Sequence, residues 1–187
     1  PDKVINSFLS AEDKNFFEHP GIDAKGVTRA VIKNIDNILS NKRLEGASTI
    51  TQQVAKNFLL TNEVSLKRKI KEAILAFRIE KAYSKKRILE LYLNEIYLGK
   101  GTYGVASASL EYFNKSVKEL NYNEAALLAA LPKAPSKYNP YNSIEKATVR
   151  RNMVLKNLND NGYISNDELK KFLKQKINLK KRKVFLI

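Results

Sequence analysis

From Val4 to Phe172 apolar residues recur at helical spacing in one segment after another, with no alternating pattern of useful length between them. A weak alternation appears only over Arg182 to Ile187. This periodicity confines the chain to a mainly α fold. Val4, Ile5, Phe8 and Leu9 make one helix face ending near Asp13, and Asn15 to Gly26, with Pro20, Gly21 and Gly26, reads as a loop. Val27, Ala30, Val31, Ile35 and Ile38 carry a second helix to Ser40 or Asn41, and Gly46-Ala47 is a break. Thr49 stands three residues before Gln52, the capping-box spacing, and opens a third helix through Val54 to about Leu60. Lys67 to Ala82 is apolar nearly all round, which predicts a buried helix. Further helices are expected from Ser84 or Lys85 to Leu98, Val105 to Phe113, Asn123 to Leu131, Ile144 to Asn159 and Asn166 to Lys174, with an extended segment marked by Pro135, Pro140 and Asn142.

At 187 residues the chain is long enough for one domain with a real core. The absence of cysteine excludes disulfides, thiolate metal sites and thiol nucleophiles, and a single histidine, His19, excludes a multi-histidine metal site. Lys+Arg is 34 against 19 Asp+Glu, a formal +15, which suits a polyanionic partner: nucleic acid, anionic lipid or pyrophosphate. Lys171 to Ile187 holds seven basic residues and no acidic one, so the remaining body is only moderately basic. The longest purely apolar run, Ala125 to Leu131, is far short of the ~20 residues of a spanning helix. The chain opens at Pro1 with no signal peptide, as an excised fragment would.

Four places could carry chemistry. Glu72 shares a helix arc with Arg68, Leu75, Ala76 and Ile79, so it is either half of a structural ion pair or a desolvated site carboxylate. Glu12 and Asp13 are adjacent near a helix C-terminus, where both the dipole and the neighbour oppose negative charge; that suits a general base, or is simply a solvated helix end. His19, in the following loop, reads more readily as a hydrogen-bonded brace than as a catalyst. Ser48, Thr49, Gln52 and Gln53 precede or open a helix that carries Lys56, so this segment is a plain N-cap, an anion site, or both. Two strings are decoys. Gly99-Lys100-Gly101-Thr102-Tyr103-Gly104 matches G-x-G-x-x-G but follows a helix, and Ser143 to Lys146 matches S-x-x-K without its companion motifs.

Five segments, in order, resemble one family. Glu12-Asp13 with Phe16, His19 and Gly21 resembles E-D-x-x-F-x-x-H-x-G. Gly46 to Gln53 resembles G-x-S-T-x-x-Q-Q, with Ala47 where many members carry a second glycine. Arg68-Lys69 with Glu72 resembles R-K-x-x-E, Ile88 to Asn94 resembles I-L-E-x-Y-L-N, and Leu131 to Pro140 resembles the proline-rich segment that follows. The family is the peptidoglycan glycosyltransferases, glycosyltransferase family 51. The likeness is nearest to the N-terminal glycosyltransferase domain of class A penicillin-binding proteins of the 1A type.

The resemblance implies a lysozyme-like, mainly α fold with a larger head lobe and a small membrane-apposed jaw lobe. It also implies polymerisation of lipid II into β-1,4-linked glycan strands, with inversion and release of undecaprenyl pyrophosphate. The glycosyltransferase domain would span residues 1–170, and residues 171–187 would be a basic tail or the start of an interdomain linker. Glu12 and Glu72 would be catalytic. Ser48, Thr49, Gln53, Lys56, Arg68 and Lys69 would bind substrate. Asp13, Phe16, His19, Gln52 and Asn94 would support them. A divalent cation, Mg2+ or Mn2+, is implied, with Glu72 as its possible ligand, and no organic cofactor. The implied partners are lipid II, the growing lipid-linked chain, the membrane surface and moenomycin-type inhibitors. A fused transpeptidase domain, a place on the extracytoplasmic face of the bacterial membrane, and no nucleic-acid partner are also expected. The rivals are a lysozyme-like hydrolase, a helical nucleic-acid-binding module and an inactive cell-wall assembly scaffold. The hydroxyl-rich 46–53 segment argues against the first, and intact Glu12 and Glu72 against the last.

Overall fold

The computed structural model describes residues 1–39, 48–58 and 65–180. The expectations at Ser40, Asn41, Gly46, Ala47, Leu60 and Arg182 to Ile187 lie outside these residues. The helices are α1 (Asp2–Glu12), α2 (Ala24–Leu39), α3 (Ile50–Phe58), α4 (Leu66–Ala82), α5 (Lys85–Glu95), α6 (Val105–Phe113), α7 (Tyr122–Ala130), α8 (Pro135–Tyr138), α9 (Ile144–Asp160) and α10 (Asn166–Lys174), with a 3-10 turn at Val117–Glu119. Among the described residues the only β pairing is a bridge between Tyr97 and Tyr103. The chain divides into two compact units: a larger one of Pro1–Lys14 with the chain from Leu93 onward, and a smaller one, Asn15–Tyr92.

The larger unit is built around α7. Its capping box opens it, with Glu124 N–H donating to Asn121 Oδ1 and Asn121 N–H to Glu124 Oε2. From Ala125 to Ala130 every side chain is buried. Four of those six residues are alanines, so neighbouring helices can approach closely while Leu127 and Leu128 supply the bulk. α1 and α9 pack on it. Truncating either leucine to alanine would cost roughly 2–5 kcal/mol. α9 is tied to α1 by Asn157 and Asn161, whose amides donate to Ser10 O and Oγ at 2.9 and 3.0 Å. It also carries Arg151, which is wholly buried. That guanidinium donates to Gln175 O at 2.8 Å, Asn123 donates to Gln175 Oε1 at 3.0 Å, and Lys180 N–H donates to Tyr112 O at 3.0 Å. The segment after α10 is therefore held against this unit as far as Lys180.

Two of the boundaries that differ from expectation, at α5 and at the proline segment, do so for local reasons. α5 ends at Glu95 rather than Leu98 because Ile96 O and Leu98 N–H leave the helix ladder to bond Gly104 N–H and Thr102 O. A Cβ on Gly104 would fall 2.4 Å from Asn94 O, so a glycine of the nucleotide-like string serves steric fit in a tight turn. The proline segment is not extended throughout; Pro135 starts the short α8, as proline can at a first helical position.

In the smaller unit α3 packs on α4. α2 begins at Ala24, inside the expected loop. Asp23 closes its first turn by accepting from Gly26 N–H, and a Cβ on Gly26 would sit 2.5 Å from Asp23 Oδ2. α4 departs most from expectation, for it is not buried. Glu72, Ala76 and Ile79, at i, i+4 and i+7, form its one buried face, whereas Leu66, Ile70 and Ile74 are at least 50% exposed. An all-round apolar sequence becomes an interior helix only where it is covered on all sides, and here only one side is covered.

Candidate active site

Glu12 is the last residue of α1, in the larger unit, and its side chain is largely buried. Arg150 NH2 lies 3.9 Å from Glu12 Oε1, which places a positive charge beside the carboxylate. Sequence reasoning missed Arg150. The available signal was its spacing, three residues after Ala147 and four before Val154, which puts a cation on the buried face of α9. Arg150 Nε is buried without a hydrogen bond. Asp13 is buried at the C-cap of α1, with its N–H donating to Leu9 O at 2.9 Å. Asn94 is exposed on α5, in the same unit, and its carbonyl abuts Gly104.

The remaining candidates belong to the smaller unit. Thr49 caps α3 as its spacing predicts: Gln52 N–H donates to Thr49 Oγ1 at 3.1 Å and Thr49 N–H to Gln52 Oε1 at 3.0 Å. Ser48, just outside the cap, accepts from Lys69 Nζ at 2.7 Å, and the same ammonium reaches Glu72 Oε2 at 3.0 Å. Arg68 NH1 stands 3.2 Å from Glu72 Oε1. Poor alignment makes this an ion pair rather than a hydrogen bond, and Glu72 Oε1 and Arg68 Nε are both buried without a hydrogen-bond partner. Glu72, with 3% of its side chain exposed, thus lies between two cations.

Ser48, Gln52 and Lys69 also border an open groove of about 300 Å³, whose other walls are Val27, Leu66, Ile70 and Ala73. A rim of hydroxyl, amide and ammonium groups therefore adjoins an apolar trough. Lys56 is in the last turn of α3, about 10 Å along the helix axis from Thr49, so the cation that reaches Ser48 is Lys69. Gln53 is half-buried on α3. Phe16 is fully buried with its ring against those of Phe17 and His19, and His19 Nδ1 accepts from Gly21 N–H at 3.1 Å.

These residues do not make a divalent-cation site. Among the described residues no three acidic or histidine side chains converge, and Glu72 stands alone with Arg68 and Lys69 on its two oxygens. A hard cation prefers six or more oxygens. Any such ion needed for turnover would draw most of its oxygens from water and the substrate.

A family model described as Transglycosylase matches residues 1–159. Penicillin-binding protein 1A of Rickettsia typhi is 54% identical over 182 residues, 97% of this chain and 23% of that protein. Penicillin-binding protein 1A of Aquifex aeolicus is 51% identical over 181 residues, 97% of this chain and 24% of that one. The chain thus spans about a quarter of the length of these relatives. Among solved structures, penicillin-binding protein 1A from Haemophilus influenzae, at 2.6 Å, is similar with a TM-score of 0.50 and 38% identity, covering 72% of this chain and 18% of that chain. Together with the five ordered motifs and the mainly α, lysozyme-like architecture, these matches establish that the chain belongs to the transglycosylase family, the peptidoglycan glycosyltransferases.

Proposed function

We propose that this chain polymerises lipid II. The observation that carries the reading is the run Ser48–Lys69–Glu72–Arg68 at the amino end of α3, with an apolar groove beside it. Such a rim suits a pyrophosphate and such a trough suits the polyprenyl chain attached to it. In the proposed reaction the 4-hydroxyl of the incoming lipid II attacks the anomeric carbon of the growing chain. Glu12 takes the hydroxyl proton. The bond to the pyrophosphate breaks with its electron pair, leaving undecaprenyl pyrophosphate, and the new β-1,4 link has inverted configuration. Charge builds on the departing pyrophosphate oxygens, where preorganised N–H, hydroxyl and cationic groups lower the barrier most. Ser48, Thr49, Arg68 and Lys69 are assigned that role, and Glu72 holds the two cations in register. Gln53 and Lys56 extend the binding surface along α3. Asp13, Phe16, His19, Gln52 and Asn94 are assigned support.

The chain is read as one part of a longer protein, fused to a transpeptidase domain and working at the extracytoplasmic face of the bacterial membrane. The length of its relatives supports the fusion. Half-exposed Val31, Ile32 and Ile35 on α2 and Ile70 and Ile74 on α4 support contact with lipid. Moenomycin-type phosphoglycolipids would compete at the same rim and groove. Lipid II polymerisation in detergent, followed by glycan-strand gel, tests the reading. Wild type should make strands, and Glu12→Gln should lose at least about a hundredfold in rate, as expected for a removed general base. Strands from Glu12→Gln at the wild-type rate would overturn the base assignment.

A further inference from the structure

An ion pair outside all five motif assignments connects the site's loop to the site's helix. Glu80, near the end of α4, and Lys85, at the start of α5, lie 2.7 Å apart with 9% and 20% of their side chains exposed. Lys85 Nζ also donates to His19 O at 2.6 Å and sits 4.4 Å from the centre of the Phe16 ring. Glu80 Oε1 in addition accepts from Thr51 Oγ1 of α3 at 2.5 Å, and Thr51 is wholly buried. Two side chains thus hold the loop after α1 at Phe16 and His19 and hold α3 at Thr51.

The loop is fixed again two residues on. Gly21 has φ +103, and a Cβ there would lie 3.1 Å from Glu80 Cγ and 3.2 Å from the Ala76 carbonyl, so the backbone runs flush against α4. Gly21 O accepts from Thr49 Oγ1 at 2.6 Å, the hydroxyl that also caps α3. Ser48, the next residue back, accepts from Lys69. The bonding runs without a gap from Glu80 and Lys85, through His19 and Gly21, to Thr49, and neighbouring Ser48 joins Lys69 and Glu72.

We infer that Glu80 and Lys85 are positioning residues: their pair pins the Phe16–Gly21 loop, and the loop sets where the amino end of α3 presents Ser48 and Thr49 to a pyrophosphate. This rests on the reading of that rim as a pyrophosphate site. Neither side chain belongs to the rim itself, so their loss acts on binding through the loop and through Thr51 of α3.

The test uses the full chain, with Lys85→Met, Glu80→Gln and Thr51→Val, the last keeping the side-chain shape while removing one bond to Glu80. Two quantities are measured well below the melting temperature: hydrogen exchange at the amides of Gly21, Thr49 and Gln52, and the affinity for farnesyl pyrophosphate by calorimetry. Lys85→Met should speed exchange at those amides and weaken affinity about tenfold, the scale of a lost charge-assisted hydrogen bond. Lys85→Arg, which keeps the charge, should recover part of both. Unchanged exchange in the variants overturns the tether. Faster exchange with unchanged affinity overturns the positioning role and leaves a purely structural pair. If Lys85→Met does not fold, Thr51→Val is read by the same criteria. A wild type that fails to bind farnesyl pyrophosphate refutes the pyrophosphate reading of the rim and with it the positioning role, while the exchange comparison still decides whether the tether exists.

Discussion

Glu72 shows how much one residue's role depends on its neighbours. A carboxylate with 3% exposure is costly to bury unless it is paired, and Arg68 and Lys69 both pair it from the same helix. Lys69 is the half-exposed member and the only one that also reaches Ser48. Replacing it with methionine therefore removes the link between the buried carboxylate and the α3 cap while Arg68 still balances the charge. Lys69→Met should weaken farnesyl pyrophosphate binding about tenfold and shift the melting temperature by only a few degrees. The affinity loss should shrink at high salt, because an exposed cation's attraction is screened. Equal affinity in calorimetry at low salt would remove Lys69 from the pyrophosphate site.

Element by element, α2 and α4 lend themselves to direct tests. Burial raises the pKa of Asp23 at the start of α2. The Gly26 N–H, the Asn15 amide and the neighbouring His19 and Arg29 outweigh it, and the carboxyl settles below its ordinary value. The folded state then holds this proton less tightly than the unfolded chain. The stabilisation is complete above the ordinary carboxylate range of about 4 and is lost as pH falls through the lower, folded value. Asp23→Asn should flatten that acid limb in melting temperatures measured from about pH 6 to pH 2, and an unchanged slope would count against it. α4 carries its exposed apolar residues opposite Glu72, Ala76 and Ile79. Ile70→Glu with Ile74→Glu should lower association with anionic phospholipid vesicles more than tenfold in flotation, at roughly 1.5–3 kcal/mol per buried side chain, with the fold intact. Undiminished flotation would place the lipid contact elsewhere.

For the molecule as a whole, the net +15 includes buried cations, and Arg151 is one that does structural work. Arg151 is wholly buried, and burial lowers its pKa. Its guanidinium bonds Asn152 and the Gln175 carbonyl, so it joins α9 to the chain beyond α10. Arg151→Met keeps the bulk but leaves that carbonyl without its donor. Hydrogen exchange and limited proteolysis over residues 175–180 should accelerate while α7 stays protected. Unaltered protection there would show that Asn123 and Tyr112 suffice to hold the segment.

Most helices and the cap of α3 were legible in the sequence because they depend on near neighbours. Apolar spacing marked α6, α7, α9 and α10 to within about a residue at each end and α1 to within a residue at its end, and Thr49 with Gln52 announced the start of α3. The five motifs likewise placed Glu12, Ser48, Lys69 and Glu72 among the candidates, since motif spacing is local too. The sequence could not show which side of α4 would be covered, because covering depends on what packs there. Nor could it show that Arg150 stands beside Glu12, 138 positions away in sequence and 3.9 Å away in space. Lys56 seemed the natural cation for the α3 cap on proximity in sequence, yet Lys69 from the next helix fills that place. Glu80 and Lys85 draw their other partners from two distant stretches of chain, the loop at Phe16 and His19 and α3 at Thr51. Local hydrogen bonding and hydrophobic period fix the elements one at a time. Long-range pairing of buried charges is decided only once the chain is folded and each charge must find a partner out of water.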